Sequence, residues 1–264
     1  MAQAAWRPEA PRDSLVRSKQ WQVRFDTGRN WRAKIGFVLI PNEQTIEDDM
    51  VRMAPEGVGI YFSRAVMPHR ISTATLAHLT DSLSETAGRI LPDDNLDVIC
   101  FACTSGSVAV GETLAVAELN KGAPGAKATT LVTSVKNALH QFNARRIVVG
   151  TPYVDELNTN VARNLIEGGF EIVNFQGLGL NYDREMIRVS PDFLVEFAQA
   201  IDCPDADALL LSCGALRSVE VVDEIEQRTK KPVVVSNQAM IWECLRLAGV
   251  DDRIDGYGRL LKEF

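Results

Sequence analysis

The chain has 264 residues, 46% of them apolar and 24% charged, which is the make-up of a folded globular protein and excludes a disordered, collagenous or coiled-coil one. A formal charge of −7 supplies no overall field toward nucleic acid or an anionic membrane, so an anionic ligand must be held by local donors. Five cysteines, an odd number, with no membrane-length apolar run or secretory leader near Met1, lead to the expectation of a reduced, cytoplasmic setting.

Residues 1–30 mix Arg, Pro and Trp without apolar periodicity and read as an extension laid over the surface. From Ile35 onward, short β-rich runs alternate with longer stretches of helical spacing, the pattern of parallel sheets built by βαβ crossovers. The predicted strands are IGFVLI (35–40), VGIYFSRAV (58–66), DVICFA (97–102), TTLVTS (129–134), RIVVGT (146–151), FEIVNF (170–175), ALLLS (208–212) and PVVVS (232–236). The predicted helices run over 75–90, 108–119, 135–142, 154–167, 191–200, 219–228 and 239–247. Ser190 before Pro191 is a helix-start signal, and Ser134 and Ser236 each sit where a strand gives way to a helix.

The series of signals occurs twice. A strand ends at Pro41 and again at Pro152, 111 positions later, and a later one ends at Cys103 and again at Cys213, 110 positions later. A third pair, TLVTS and VVVSN, follows in the same order at an offset of about 102. The expected fold class is therefore α/β, with two similar Rossmann-like lobes whose parallel sheets are related by a pseudo-twofold. The expected division is an extension over 1–30, a first lobe over 31–142, a second over 143–232, and a strand and helix over 233–264 that pack back across the lobes. Ligands of open parallel sheets sit beyond the carboxyl ends of the strands. Cys103 and Cys213 would thus approach one cleft from opposite sides.

CTSGS (103–107) opens a helix, where free amides and the positive end of the dipole favour an anion and a thiolate over a thiol. Thr104, Ser105 and Ser107 add hydroxyls, and Gly106 admits close approach. In SCGALRS (212–218), Gly214 gives conformational freedom, and the amides that follow Cys213, those of Gly214 and Ala215, can cradle a carboxylate. The plainer alternative at both places is a buried cysteine followed by an ordinary cap. Gln44 and Thr45 in PNEQT and Tyr153 in PYVDELN offer donors after the proline-ended strands. GLGLNYDRE (177–185), with Asn181, Tyr182 and Asp183, reads as a loop fit to cover a site.

Cys100 and Cys103 form a CxxC, but Cys100 lies inside a strand, where residues three apart face opposite ways, so a redox pair is not expected. Cys100 and Cys244 read as packing residues and Cys203 as incidental. His69, His78 and His140 are scattered, so no metal is expected; His69 reads as a surface or lid residue. GxSxG, GxGxxG and Walker A loops are absent from the sequence.

These residues resemble the Asp/Glu racemase superfamily, and within it the maleate cis-trans isomerase and arylmalonate decarboxylase group. The resemblance runs from IGFVLIPNEQT through CTSGS and GTPYVDELN to SCGALRSVE and SNQAxxW, nearly everything after Lys34. It implies a two-lobed enzyme without metal or pyridoxal cofactor, acting on a small carboxylate substrate. Cys103 and Cys213 would be its catalytic pair, Thr104, Ser105 and Ser107 part of the carboxylate pocket, and Tyr153 a polar contact. The group's decarboxylases lack the first cysteine, so the resemblance favours isomerase or racemase chemistry. PNEQT stands where maleate isomerases carry a PSSNT-like loop, and Asp183 falls about where they have an asparagine. Both changes point to an acid bearing an amino or acylamino group, and the chain is also similar to ectoine utilisation proteins. A homo-oligomer is a further implication. A non-catalytic carboxylate-binding protein is the reading from another class.

Overall fold

The computed structural model describes residues 18–66 and 73–264. The first half contains β1 (Ala33–Leu39), α1 (Ile46–Met53), β2 (Val58–Arg64), α2 (Thr73–Gly88), β3 (Val98–Phe101), α3 (Thr104–Val110), α4 (Glu112–Gly122), β4 (Lys127–Thr130) and α5 (Leu131–Gln141). The second contains β5 (Arg146–Tyr153), α6 (Asp155–Glu167), β6 (Glu171–Leu180), α7 (Asp183–Met186), α8 (Pro191–Ile201), β7 (Ala208–Leu211), a 3₁₀ turn over Ser218–Val221, α9 (Val222–Thr229), β8 (Val233–Val235), α10 (Ser236–Leu247) and α11 (Gly258–Glu263).

Each half builds a four-stranded sheet, β2-β1-β3-β4 and β6-β5-β7-β8. Every pairing is parallel, and the second order is the first with each number raised by four. The α/β fold with two parallel sheets is therefore as expected from the sequence. β8 pairs with β7 as an edge of the second sheet. α10 then returns to the first half, where it packs on α5, α1 and β3.

Both sheet faces are covered, as parallel sheets require. In β1 and β3, Ile35, Phe37, Leu39, Val98 and Cys100 face a core shared with the second half, whereas Val38, Ile99 and Phe101 face a smaller core under α2 and α4. Cys100 and Cys103 fall in different cores, and Cys100 lies against Cys244. The halves are further joined by Glu112, which pairs with Lys136 and accepts from Asn164 Nδ2 of α6 at 3.3 Å.

Four predicted elements are corrected. TTLVTS is not one strand: β4 ends at Thr130, whose hydroxyl accepts from Thr133 N–H at 3.2 Å and starts α5 at Leu131. Ser134 consequently lies inside that helix. The single helix expected over 108–119 starts earlier, at Thr104, and is split at Gly111, whose φ of 85° takes it out of helical geometry. The covering loop expected over 177–185 is strand over 177–180, because β6 continues along β5 to Leu180 through two register shifts, and helix from Asp183. The helix expected from Val219 begins as the 3₁₀ turn and becomes α-helical at Val222. Residues 18–29 are irregular and exposed, with Trp21 and Phe25 in solvent, and the partly buried Asn30 bonds to the Tyr61 hydroxyl. His69 and the first part of the extension lie outside the described residues. Among the described residues, no helix is long and apolar enough to cross a membrane.

Candidate active site

β3 carries the chain to Cys103, which stays extended (φ −149°, ψ 121°) and serves as the N-cap of α3. Its sulfur accepts from Gly106 N–H at 3.3 Å and lies 3.7 Å from Ser105 Oγ. Gly106 is needed for that approach, since a Cβ there would fall 3.0 Å from the sulfur and 2.8 Å from Phe101 Cζ. Ser107 Oγ donates to Cys103 O at 2.6 Å, turning its hydroxyl into the helix. The Thr104 hydroxyl is buried and makes no hydrogen bond of normal geometry.

β7 carries the chain to Cys213 in the same way, but a tight turn follows rather than a helix. Ala215 N–H donates to the Cys213 sulfur at 3.4 Å. Gly214 is not in a left-handed conformation; it is required by packing, because a Cβ would meet Ile46 Cδ1 of α1 at 2.8 Å. The conformational role expected for Gly214 is thereby corrected.

Tyr153, at the end of β5, ties the two cysteines together. Its buried hydroxyl points its proton at the Cys213 sulfur, and it is close enough to Cys103 and Thr104 to sense both. Burial, together with the neighbouring sulfurs, holds the phenol well above its ordinary range. Burial pushes the Cys103 thiol up to about 11, against the opposing pull of Gly106 N–H and Ser105. It pushes Cys213 up to about 12, against Tyr153 and Ala215 N–H. Glu43 and Asp183 raise both thiols further through their charge.

The thiolate expected from the helix end is therefore corrected: desolvation outweighs one backbone N–H per sulfur, and both rest as thiols at neutral pH. What the arrangement offers is two protonated sulfurs, one from each lobe, each with an N–H ready for negative charge and a phenol beside them. Once one of the two is ionised, such a pair can take a proton on one side and deliver one on the other.

The arylmalonate decarboxylase family profile matches residues 35–261. This chain belongs to that family. It is 37% identical over 144 residues to the arylmalonate decarboxylase of Bordetella bronchiseptica, a stretch making up 53% of this chain and 60%, less than two thirds, of that relative. It is 26% identical over 244 residues to the maleate isomerase of Pseudomonas putida, covering 86% of this chain and 96% of the relative. In fold it is similar to a cysteine-to-serine mutant of the Nocardia farcinica maleate cis-trans isomerase with a covalently bound succinylcysteine intermediate, with a TM-score of 0.78 and 23% identity over 88% of this chain and 99% of that one. Arylmalonate decarboxylases and maleate isomerases form one group of the Asp/Glu racemase superfamily, and this chain is in it.

Within this family member the structure brings Cys103, Cys213, Thr104, Ser105, Tyr153, Gly214 and Ala215 to one place. Thr45 is buried but spends its hydroxyl on Ala215 O at 3.3 Å, clasping the Cys213 turn. Gln44 is exposed and bonds to Asn42 O at 3.4 Å, and Asn181 is exposed at the end of β6, so neither faces the sulfurs in this structure. Two acids take the inward positions instead. Glu43 Oε1 accepts from the N–H groups of Gln44, Thr45 and Ile46 at 2.8, 2.5 and 3.0 Å, capping α1, while burial raises its carboxyl. Asp183, half-buried at the start of α7, is also raised by burial.

Asp49 and Asn237 behind the Cys213 turn are a further pair that the motifs do not announce. Positions 46, 49, 50 and 53 make the apolar stripe of α1, so an aspartate on that stripe was a readable signal. Among the described residues, no cluster of three or more His, Cys, Asp or Glu has the arrangement to hold a metal ion.

Proposed function

We propose that this protein is a cofactor-independent isomerase or racemase that uses Cys103 and Cys213 on a small carboxylate bearing an amino group or a derivative of one. The observation that carries this reading is the convergence of the two sulfurs on Tyr153, each facing a backbone N–H. In the racemase form, one thiol first loses its proton to solvent, and the thiolate so formed removes the α-proton of the substrate and becomes a thiol again. The other thiol delivers its proton to the opposite face, and the Thr104 and Ser105 hydroxyls hold the charge that develops on the carboxylate. The amino group is supported by Glu43 and Asp183: Glu43 fills the N–H nest at the start of α1 with this chain's own carboxylate, so a second substrate carboxylate has no free donors there. A diaminobutyrate-type acid, as ectoine breakdown would supply, fits that lining. The substrate is handled by a homo-oligomer on this reading.

Maleate isomerisation is the second reading, supported by the full-length likeness to maleate isomerases and by the presence of both cysteines. There, the Cys103 thiolate adds to the alkene as Cys213 gives its proton to the neighbouring carbon, the new single bond rotates, and Cys213 takes a proton back as the Cys103 thiolate leaves and the alkene re-forms. Proton NMR in D2O with maleate, aspartate, glutamate and 2,4-diaminobutyrate derivatives tests both. Exchange at an α-carbon that falls at least about 100-fold in Cys103→Ser and in Cys213→Ser supports the racemase. Formation of fumarate supports the second reading. Silence across the panel, with both thiols unprotected by any of these acids, leaves a non-catalytic carboxylate-binding protein.

A further inference from the structure

We propose that Asp49 and Asn237 are positioning residues that aim the Ala215 N–H at the Cys213 sulfur from behind the turn. Asn237 follows the first residue of α10 and is 1% exposed. Its Nδ2 donates one proton to Asp49 Oδ2 and the other to Gly214 O, both at 2.8 Å. Gly214 C=O and Ala215 N–H belong to the same peptide group, which is planar and trans, so they point in opposite directions. Fixing that carbonyl on one side fixes the N–H on the other, and this is the N–H that reaches the Cys213 sulfur at 3.4 Å.

Asp49 settles which way the Asn237 amide faces, because a carboxylate accepts and never donates. Without it, the amide oxygen could turn toward Gly214 O and repel it. Thr45 and Ile46, from the same end of α1, hold the next carbonyl and fill the space at Gly214. One lobe thereby sets the geometry of the other lobe's cysteine. Cys103 takes its N–H from Gly106 in its own helix and has no part in this arrangement. It serves as an internal reference.

The test is alkylation by iodoacetamide at pH 8, with the modified peptides separated and quantified by mass spectrometry, so that each variant yields a Cys213-to-Cys103 rate ratio. The N–H stabilises a thiolate, an interaction of the charge-assisted kind, so losing its aim should lower the ratio about tenfold in Asn237→Ala and in Asp49→Ala. Asp49→Asn, which keeps an acceptor oxygen for Asn237, should stay within about twofold of the parent and thus act as the rescue. Circular dichroism and melting curves establish that each variant is folded, and should Asn237→Ala fail to fold, the two Asp49 variants carry the comparison. A ratio unchanged in Asp49→Ala overturns the proposal. So does a rise in the ratio, which would mean only a looser turn, or a parallel change at both cysteines. None of these readouts depends on the substrate or on the reaction assigned above.

Discussion

Replacing Asp49 with asparagine should make the protein more stable near neutral pH and have little effect in acid. Asp49 is 3% exposed, and burial raises its carboxyl from 3.8 to about 6, with Asn237 and Arg52 opposing and Glu220 and Glu43 adding to the rise. A carboxyl whose folded-state pKa lies above its unfolded one stabilises the fold only while protonated. That contribution is complete below about 3.8 and is lost as pH rises through about 6. The buried charge therefore costs the fold about 3 kcal/mol above pH 7, as an upper figure, about half of that at pH 5 and little at pH 4.

Asparagine carries no charge to desolvate and still offers Asn237 an oxygen, so Asp49→Asn should recover most of that difference. For a chain of this length it amounts to a rise in Tm of about 3–8 °C at pH 7.5. The assay is thermal unfolding of both proteins by calorimetry at half-unit steps from pH 4 to pH 8. A gap that does not change with pH, or an asparagine variant that melts lower at pH 7.5, would refute the reasoning.

Three other substitutions probe the site. Tyr153→Phe removes the proton aimed at Cys213, so alkylation of Cys213 at pH 8 should slow about tenfold while Cys103 changes less, read by peptide mapping. Glu43→Gln keeps an oxygen for the three N–H groups of α1 but deletes a charge that raises both thiols, so Cys103 and Cys213 should both alkylate a few-fold faster; a change at one alone would count against a shared field. Gly106→Ala puts a methyl group 2.8 Å from Phe101 Cζ and 3.0 Å from the Cys103 sulfur, and should lower stability by about 1–3 kcal/mol in denaturant titration while slowing Cys103.

The fold was readable because its signals are local and repeated. Short apolar runs such as VICF and ALLL, set between longer helical stretches, fit strands buried on both faces, and each is followed by a cysteine at the point where its sheet ends. Two such halves in one order imply two such sheets. The misread elements are those decided by something distant or by a single cap. Leu131 and Val132 suit a strand by composition, yet a helix starts there, capped by the Thr130 hydroxyl and packed on α10. Gly177 and Gly179 look like a loop, yet β5 beside them supplies the partner that makes β6 a strand.

The same division runs through the site. Cys103, Cys213 and Tyr153 stand at strand ends, where direction follows from the sheet. Gln44 and Glu43 are neighbours in a turn, and which of them faces inward depends on three N–H groups that only the folded turn brings together. The ionisation of the thiols was beyond a local reading altogether, since it comes from how completely both lobes exclude water around them.

That last point bears on the chemistry. A thiol at about 11 costs about 5 kcal/mol to ionise at pH 7, so neither sulfur is by itself a ready base. Two of the causes are the negative charges of Glu43 and Asp183, which act on both sulfurs. On the function proposed above, a substrate ammonium seated against those carboxylates would offset their charge at the moment of binding, lowering both thiols together. A dicarboxylate would do the reverse, adding negative charge where two acids already stand. The acidic lining would then select substrate by ionisation as well as by fit: an amino acid that binds would also prepare the base, and maleate would bind to a site that stays protonated. Alkylation measures this directly. At concentrations too low to block access, an amine without a carboxylate should speed both cysteines in the parent, and Glu43→Gln should lose most of that acceleration. An equal response in the two proteins would separate thiol ionisation from substrate charge and leave burial alone to account for it.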